Sequence, residues 1–117
     1  MESHTDYKVG DQVSVIPYFS CGTCFACAQG KTNCCPTLNV FGVHSDGGMA
    51  EFILIPIDSL FKNTSLNLDA LALLEPLAIG AHGIKRAQIK RNEFVLIVGA
   101  GPIGLGAAAM ASSAGAQ

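Results

Sequence analysis

Cys21, Cys24, Cys27 and Cys35 stand in a C-x2-C-x2-C-x7-C pattern. Four thiolates in so short a stretch can close a tetrahedron around one metal ion, the geometry Zn²⁺ adopts with sulfur ligands. A shell of four cysteines leaves no open coordination position, so the spacing predicts a structural metal site rather than a catalytic one. Cys35-Pro36 also echoes bacterial ferredoxins, but their fourth cysteine follows after three residues, whereas seven intervene here. The fifth thiol, Cys34, has two readings. It is a buried or semi-exposed free thiol beside a ligand, or it competes with Cys35 for the metal; adjacent residues point in different directions, so only one fits a fixed shell.

A second pattern is Gly99-Ala100-Gly101-Pro102-Ile103-Gly104, a G-x-G-x-x-G run after the apolar Phe94–Val98 and before the Ala-rich Leu105–Ser113. In a strand–turn–helix setting this is a dinucleotide fingerprint. Gly99 permits the tight turn, Gly101 lets a pyrophosphate approach the backbone, and Gly104 lets helix and strand pack closely, with the helix N-terminus supplying free N–H groups. An Ala/Gly helix packed for tightness is the plain alternative. The acidic residue that would hold the ribose is expected about 20 residues further on, past Gln117. Among isolated candidates, Glu75 reads by itself as an acid at a helix start, favoured by the macrodipole. His44 reads as a hydrogen-bonding loop residue, His82 as a satisfied core histidine on an apolar helix, and Asp46 as the stabiliser of its own Gly-Gly turn.

The elements that must position these groups fall into three regions. In the first, Gly10-Asp11 is a turn and Gln12–Ile16 a strand. The cysteine loop fills Ser20–Pro36, Val40–Val43 is short and extended, Asp46-Gly47-Gly48 is a turn, and Ala50–Ile55 is a strand ended by Pro56. In the second, Asn67 or Asp69 caps a helix, and Pro76 opens another that is apolar on more than one face and so well buried. In the third, Phe94–Val98 is a strand buried on both faces, as in a parallel sheet. The predicted fold class is therefore α/β.

Composition sets the outer bounds. Half of the 117 residues are apolar and 14% are charged, against about 25% charged in an ordinary soluble domain. Net charge is −2. Lys85, Arg86, Lys90 and Arg91 form the densest basic group and read as a solvated helix face, so no nucleic-acid partner is expected. No stretch is long enough for a membrane span, and Met1–Gly10 lacks the apolar core of a signal peptide. An odd cysteine count of five argues for metal ligation in a reducing, cytoplasmic setting rather than a disulfide framework. One βα unit cannot bury its strand on both faces, so the chain is expected to be a fragment or to dock onto other surface.

Four stretches, GDQVSVIPYFSCGTCFACAQGKTNCCP, GVHSDGGMAEF, LLEPLAIGAHGIKRA and VLIVGAGPIG, together resemble the zinc-dependent medium-chain alcohol dehydrogenases. The likeness is greatest to the sorbitol and sugar-acid branch, and it covers nearly everything from Lys8 to Gln117. It implies part of a GroES-like, β-rich catalytic domain over residues 1–62, with a structural zinc lobe at about 20–36. Connecting helices over 63–91 and the first βα unit of a Rossmann domain over 92–117 would follow. By the same resemblance Cys21, Cys24, Cys27 and Cys35 hold structural zinc, and Gly99, Gly101, Pro102, Ile103 and Gly104 bind NAD or NADP. Glu75 lies beside a catalytic zinc expected only in a full-length enzyme. The implied reaction is hydride transfer between a secondary alcohol of a polyol or sugar acid and NAD(P), in a homo-oligomer with no membrane partner. The family's catalytic cysteine and His–Glu pair precede the Gly-Asp turn. Only nine residues precede Gly10 and His4 is not in that position, so these 117 residues alone are expected to be inactive. The alternative is a non-catalytic zinc-binding remnant or interaction module.

Overall fold

A computed structural model describes residues 7–117. The chain divides into two compact units, one ending at Asn63 and one starting at Thr64. His4 lies outside the described residues.

In the first unit, β1 (Val13–Val15) pairs antiparallel with β4 (Leu60–Lys62), with Ser14 opposite Phe61. The Ile16 amide extends the ladder to the Ser59 carbonyl at 2.7 Å. Gly10 takes φ +94° in the turn before β1, a conformation that costs glycine little. Asp11 then staples the pair. Its carboxylate accepts from Lys62 Nζ at 2.6 Å and from the Lys8 amide at 2.7 Å. The Lys62 hydrogen bond, followed by the Lys8 amide, holds this carboxyl below the usual range.

A second antiparallel pair, β2 (Tyr18–Phe19) with β3 (Asn39–Val40), places Phe19 opposite Asn39. The Phe19 and Phe41 rings meet at 5.9 Å with a 44° tilt. This pair closes the base of the cysteine loop: β2 ends two residues before Cys21 and β3 begins four after Cys35. Within the loop lie one helical turn, α1 (Phe25–Ala28), and a 3₁₀ turn at Thr32–Cys34.

After β3 the chain reverses at Gly42–His44 rather than at Asp46–Gly48, where only Gly48 bends. Gly42 supplies a φ of +82°, and the Val40 carbonyl accepts from the Val43 and His44 amides at 3.0 and 2.8 Å. His44 Nδ1 accepts from the Val40 amide at 3.0 Å, so it is the hydrogen-bonding loop residue expected. The strand expected at Ala50–Ile55 does not form. No ladder partner reaches it among the described residues, and Phe52 and Leu54 stand 86% and 95% exposed.

The second unit is built on α2 (Leu68–Ala87), capped by Asn67 Oδ1, which accepts from the Ala70 amide at 2.9 Å. Pro76 does not start a new helix; α2 runs through it as one element of 20 residues. Proline removes one backbone bond from a helix interior, but strong helix formers flank it (Leu73, Leu74 and Glu75 before, Leu77 and Ala78 after). Contact with a second helix, α3 (Pro102–Ser113), also favours the unbroken form. Gly80 makes that contact close: a Cβ there would lie 2.8 Å from the Ala107 nitrogen and 3.0 Å from the Gly106 carbonyl carbon. Leu71 and Ala111 are the buried side chains of this unit, at 2% and 4% exposure.

Burial is otherwise less than expected. Leu73 and Ile79 remain about half open, and His82 is exposed rather than a core histidine. Lys85, Arg86, Lys90 and Arg91 are all exposed, as a solvated face should be. Phe94–Val98 forms no regular strand and is not buried on both faces. Val95 and Ile97 are half-buried, whereas Phe94, Leu96 and Val98 are 85–92% exposed. The physical reason is missing neighbours: a parallel strand exists only by virtue of its ladder. Three ladder bonds are present: the Asn92 amide donates to the Gly115 carbonyl at 2.7 Å, the Gln117 amide to the Glu93 carbonyl at 2.9 Å, and the Val95 amide to the Gln117 carbonyl at 3.2 Å. That alternation is the hydrogen-bond pattern of a parallel pair. Among the described residues no helix is long and apolar enough to cross a membrane.

Candidate metal centre

The loop between β2 and β3 turns the four predicted cysteines inward. Cys24 caps α1 with its own sulfur, which accepts from the Cys27 amide at 3.5 Å. The Cys24 amide donates to Cys21 Sγ at 3.4 Å, the same three-residue step repeated. The 3₁₀ turn at Thr32–Cys34 then brings Cys35 back, and its sulfur accepts from the Cys21 amide at 3.4 Å. The sulfurs of Cys21, Cys24, Cys27 and Cys35 all lie within 4.8 Å of one another. Zinc bound tetrahedrally at about 2.3 Å from each thiolate sets sulfurs about 3.8 Å apart. The observed spread is close to that, is bridged by no disulfide, and has room for one ion rather than a multinuclear cluster. Cys35 is the enclosed member at 6% exposure, while Cys21 is exposed and Cys24 and Cys27 are half-buried. Cys34 is exposed and stands outside the group. Among the described residues no other group of three or more ligand-type side chains comes together.

The loop's electrostatics favour thiolate. The amides of Thr23 and Cys24, then the Cys35 thiol and the Thr23 hydroxyl, pull the Cys21 thiol down to about 5. Cys35 is lowered by the Cys21 amide and then by the Thr37 hydroxyl. Cys24 is helped by the Cys27 amide, yet burial and the crowding of the Cys27, Cys21 and Cys35 thiols push it up to about 11. The opposed shifts have one cause: thiols this close do not all ionise unless a cation balances them.

Two contributors went unnoticed in the sequence. Thr23 Oγ1 lies 3.8 Å from Cys21 Sγ, and Thr37 Oγ1 lies 3.5 Å from Cys35 Sγ. The signal was present, because Cys21-Gly22-Thr23 and Cys35-Pro36-Thr37 both place a hydroxyl two residues after a cysteine. That spacing lets the hydroxyl reach back to the sulfur.

The glycine run has its own geometry in the other unit. Gly99 takes φ +104°, Gly101 is extended as the N-cap of α3, and Pro102 begins the helix. A Cβ on Gly104 would collide with the Gly99 carbonyl oxygen, and Ile97 also lies close. A Cβ on Gly101 would meet nothing within 4 Å. Ile103 is 45% exposed, and the amides of Ile103 and Gly104 lie in the first helical turn, where a helix supplies no acceptor of its own. Glu75 is half-buried on α2 and belongs to no metal-ligating group among the described residues.

The alcohol dehydrogenase GroES-like domain model matches residues 1–65. L-galactonate-5-dehydrogenase of Escherichia coli K12 is 52% identical over 112 residues, 96% of this chain and 33% of that protein. An uncharacterized zinc-type alcohol dehydrogenase-like protein of Haemophilus influenzae is 48% identical over 110 residues, 93% of this chain and 32% of that one. A Sinorhizobium meliloti 1021 protein solved with NADP superposes with a TM-score of 0.88 at 38% identity, covering 96% of this chain and 33% of that chain. The chain therefore spans about a third of the length of the relatives it matches. With more than half of its residues under the GroES-like model, and four cysteines converging in the loop where the resemblance puts them, the chain belongs to the GroES-like alcohol dehydrogenase family.

Proposed function

We propose that this chain supplies the structural zinc lobe and the opening nucleotide-binding turn of an NAD(P)-linked zinc dehydrogenase acting on a secondary alcohol of a polyol or sugar acid. The convergence of four sulfurs within 4.8 Å carries the reading. Cys21, Cys24, Cys27 and Cys35 would hold the ion and tie the loop to the β2–β3 base. A full thiolate shell has no position for an alcohol, so this zinc orders the lobe and leaves the substrate alone. In a whole enzyme a separate catalytic zinc would supply Lewis acidity toward the substrate hydroxyl.

The turn from Gly99 to Gly104 would receive the pyrophosphate of NAD or NADP. Gly104 is required by the protein's own packing. Gly101 is not, and the space beside it suits a ligand that must reach the backbone. The amides of Ile103 and Gly104, with Pro102 fixing the first turn, would face the phosphates. The parallel rung at Gln117 fits the start of a βαβ crossover, which supports the Rossmann reading of residues 92–117. Glu75, by resemblance, would stand beside the catalytic zinc. The whole enzyme would be a cytoplasmic homo-oligomer.

The test is metal content with activity measured alongside. The reduced chain, purified and dialysed, should retain one zinc and show no NAD- or NADP-linked oxidation of L-galactonate or sorbitol. Cobalt substitution should give the thiolate charge-transfer and tetrahedral ligand-field bands. A chain that takes up neither metal with all thiols reduced refutes the zinc reading, and alcohol oxidation by these residues alone refutes the division of roles.

A further inference from the structure

The four sulfurs are not equivalent. Cys35 Sγ receives the Cys21 amide at 3.4 Å and lies 3.5 Å from the Thr37 hydroxyl, which must donate once Cys35 is a thiolate. Cys21 Sγ receives the Cys24 amide at 3.4 Å, with the Thr23 hydroxyl at 3.8 Å. Cys24 Sγ receives the Cys27 amide at 3.5 Å. Cys27 Sγ receives no amide or hydroxyl donor among the described residues.

Backbone conformation explains the asymmetry. The step that lays the amide of residue i+3 on sulfur i serves Cys21 and Cys24, which precede α1. Cys27 lies inside α1. The amides that follow it are already taken: Gln29 donates to the Ala26 carbonyl at 3.1 Å, Gly30 to the Cys27 carbonyl at 2.9 Å, and Lys31 to the Ala26 carbonyl at 2.9 Å. A donor aimed at a thiolate stabilises its negative charge and so lowers its reactivity toward electrophiles, whether or not a metal shares that charge. Access does not reverse the order. Cys35 is buried, Cys21 is open but carries amide and hydroxyl donors, and Cys27 is half-buried, as Cys24 is.

We propose that Cys27 is the reactive thiolate of the zinc-loaded cluster, the position an electrophile modifies first and through which the metal is released. The proposal rests on the structural zinc reading above. With N-ethylmaleimide the step balances simply. The Cys27 sulfur forms a C–S bond to one alkene carbon, the resulting enolate takes a proton from water, and the sulfur becomes a thioether. A neutral thioether is a poor ligand for zinc, so the Zn–S bond breaks and the remaining three thiolates hold the ion less tightly.

The test uses the full chain carrying Cys34→Ser, because Cys34 is exposed, lies outside the cluster and would otherwise react as an ordinary thiol. Zinc content is measured first. Sub-stoichiometric N-ethylmaleimide is then added, and label and released zinc are followed by peptide mass mapping and a colorimetric chelator. Cys27 should be labelled about tenfold faster than Cys21, Cys24 or Cys35, a difference of about 1.4 kcal/mol in barrier. Zinc release should track Cys27 labelling. Thr23→Val, which strips a donor from Cys21, should speed labelling of Cys21 and leave Cys27 unchanged. Equal rates, or Cys21 or Cys24 labelled first in a chain that holds one zinc, overturns the proposal while the zinc site stands. A chain that holds no zinc overturns the site reading and the proposal with it.

Discussion

Replacing Thr37 by valine tests whether the cluster's hydroxyls act on the metal. Thr37 Oγ1 lies 3.5 Å from the sulfur of Cys35, the most enclosed of the four at 6% exposure. In the metal-free thiol form either atom can be the donor. Once Cys35 is a thiolate it has no proton, so Thr37 must donate, and the bond favours the ligating state. Valine keeps the shape and removes the O–H, leaving Cys35 with backbone amides, those of Cys21 and Thr37. Hydrogen bonds to charged groups contribute about 1.5–3 kcal/mol. Sulfur is the weaker acceptor and the separation is long, so about 1–1.5 kcal/mol is expected here. That corresponds to roughly a tenfold loss, the lower end of the 10–100-fold cost of removing a partner of a metal ligand. Competition against a chromophoric zinc chelator at neutral pH gives the dissociation constant directly. Thr32→Val is the control, since the Thr32 side chain lies in the same loop but donates to no sulfur. If Thr37→Val binds zinc within twofold of the parent chain, or loses no more than Thr32→Val, the hydroxyl does not support the ligand and the argument from geometry fails.

Other perturbations probe the remaining elements. Gly104→Ala should prevent the turn before α3 from forming, because its Cβ meets the Gly99 carbonyl oxygen. Gly101→Ala, with open space around it, should leave thermal stability unchanged and, on the proposed nucleotide role of this turn, weaken NADH binding; equal melting losses for both variants would remove the basis for separating their roles. Gly80→Ala gains about 1 kcal/mol of helix propensity. It also drives a Cβ to 2.8 Å from the Ala107 nitrogen, an overpacking cost of about 1–3 kcal/mol, so the melting temperature should fall, and a rise would show that α3 moves aside freely. Asp11 titrates below its unfolded value. Its contribution is therefore present above about pH 4 and lost as pH falls through the lowered folded value. Lys62→Met should thus reduce stability at pH 7 and flatten the decline below about pH 4 seen in an acid titration followed by circular dichroism.

What could be read from the sequence follows the distance over which each element closes its bonds. The zinc lobe was legible because its ligands and supports are local: Cys24 serves Cys21, and Cys27 serves Cys24, each over three residues. The Asn67 cap is local in the same way. Phe94–Val98 and Ala50–Ile55 carry strand-like sequences but depend on ladders with distant chain. Without such neighbours, their composition produces exposed apolar side chains instead of strands. His82 is exposed for the same reason, since an apolar helix buries a histidine only where something packs on that side. The reason at Pro76 is of another kind. A proline inside a helical pattern reads as punctuation, whereas here helix formers on both sides and the glycine-lined contact at Gly80 outweigh one missing bond. The inequality of the four sulfurs could not be read from spacing at all. C-x2-C-x2-C makes the first three cysteines look alike, and only the placement of α1 around Cys27 diverts the following amides to carbonyls and leaves that sulfur without an amide donor.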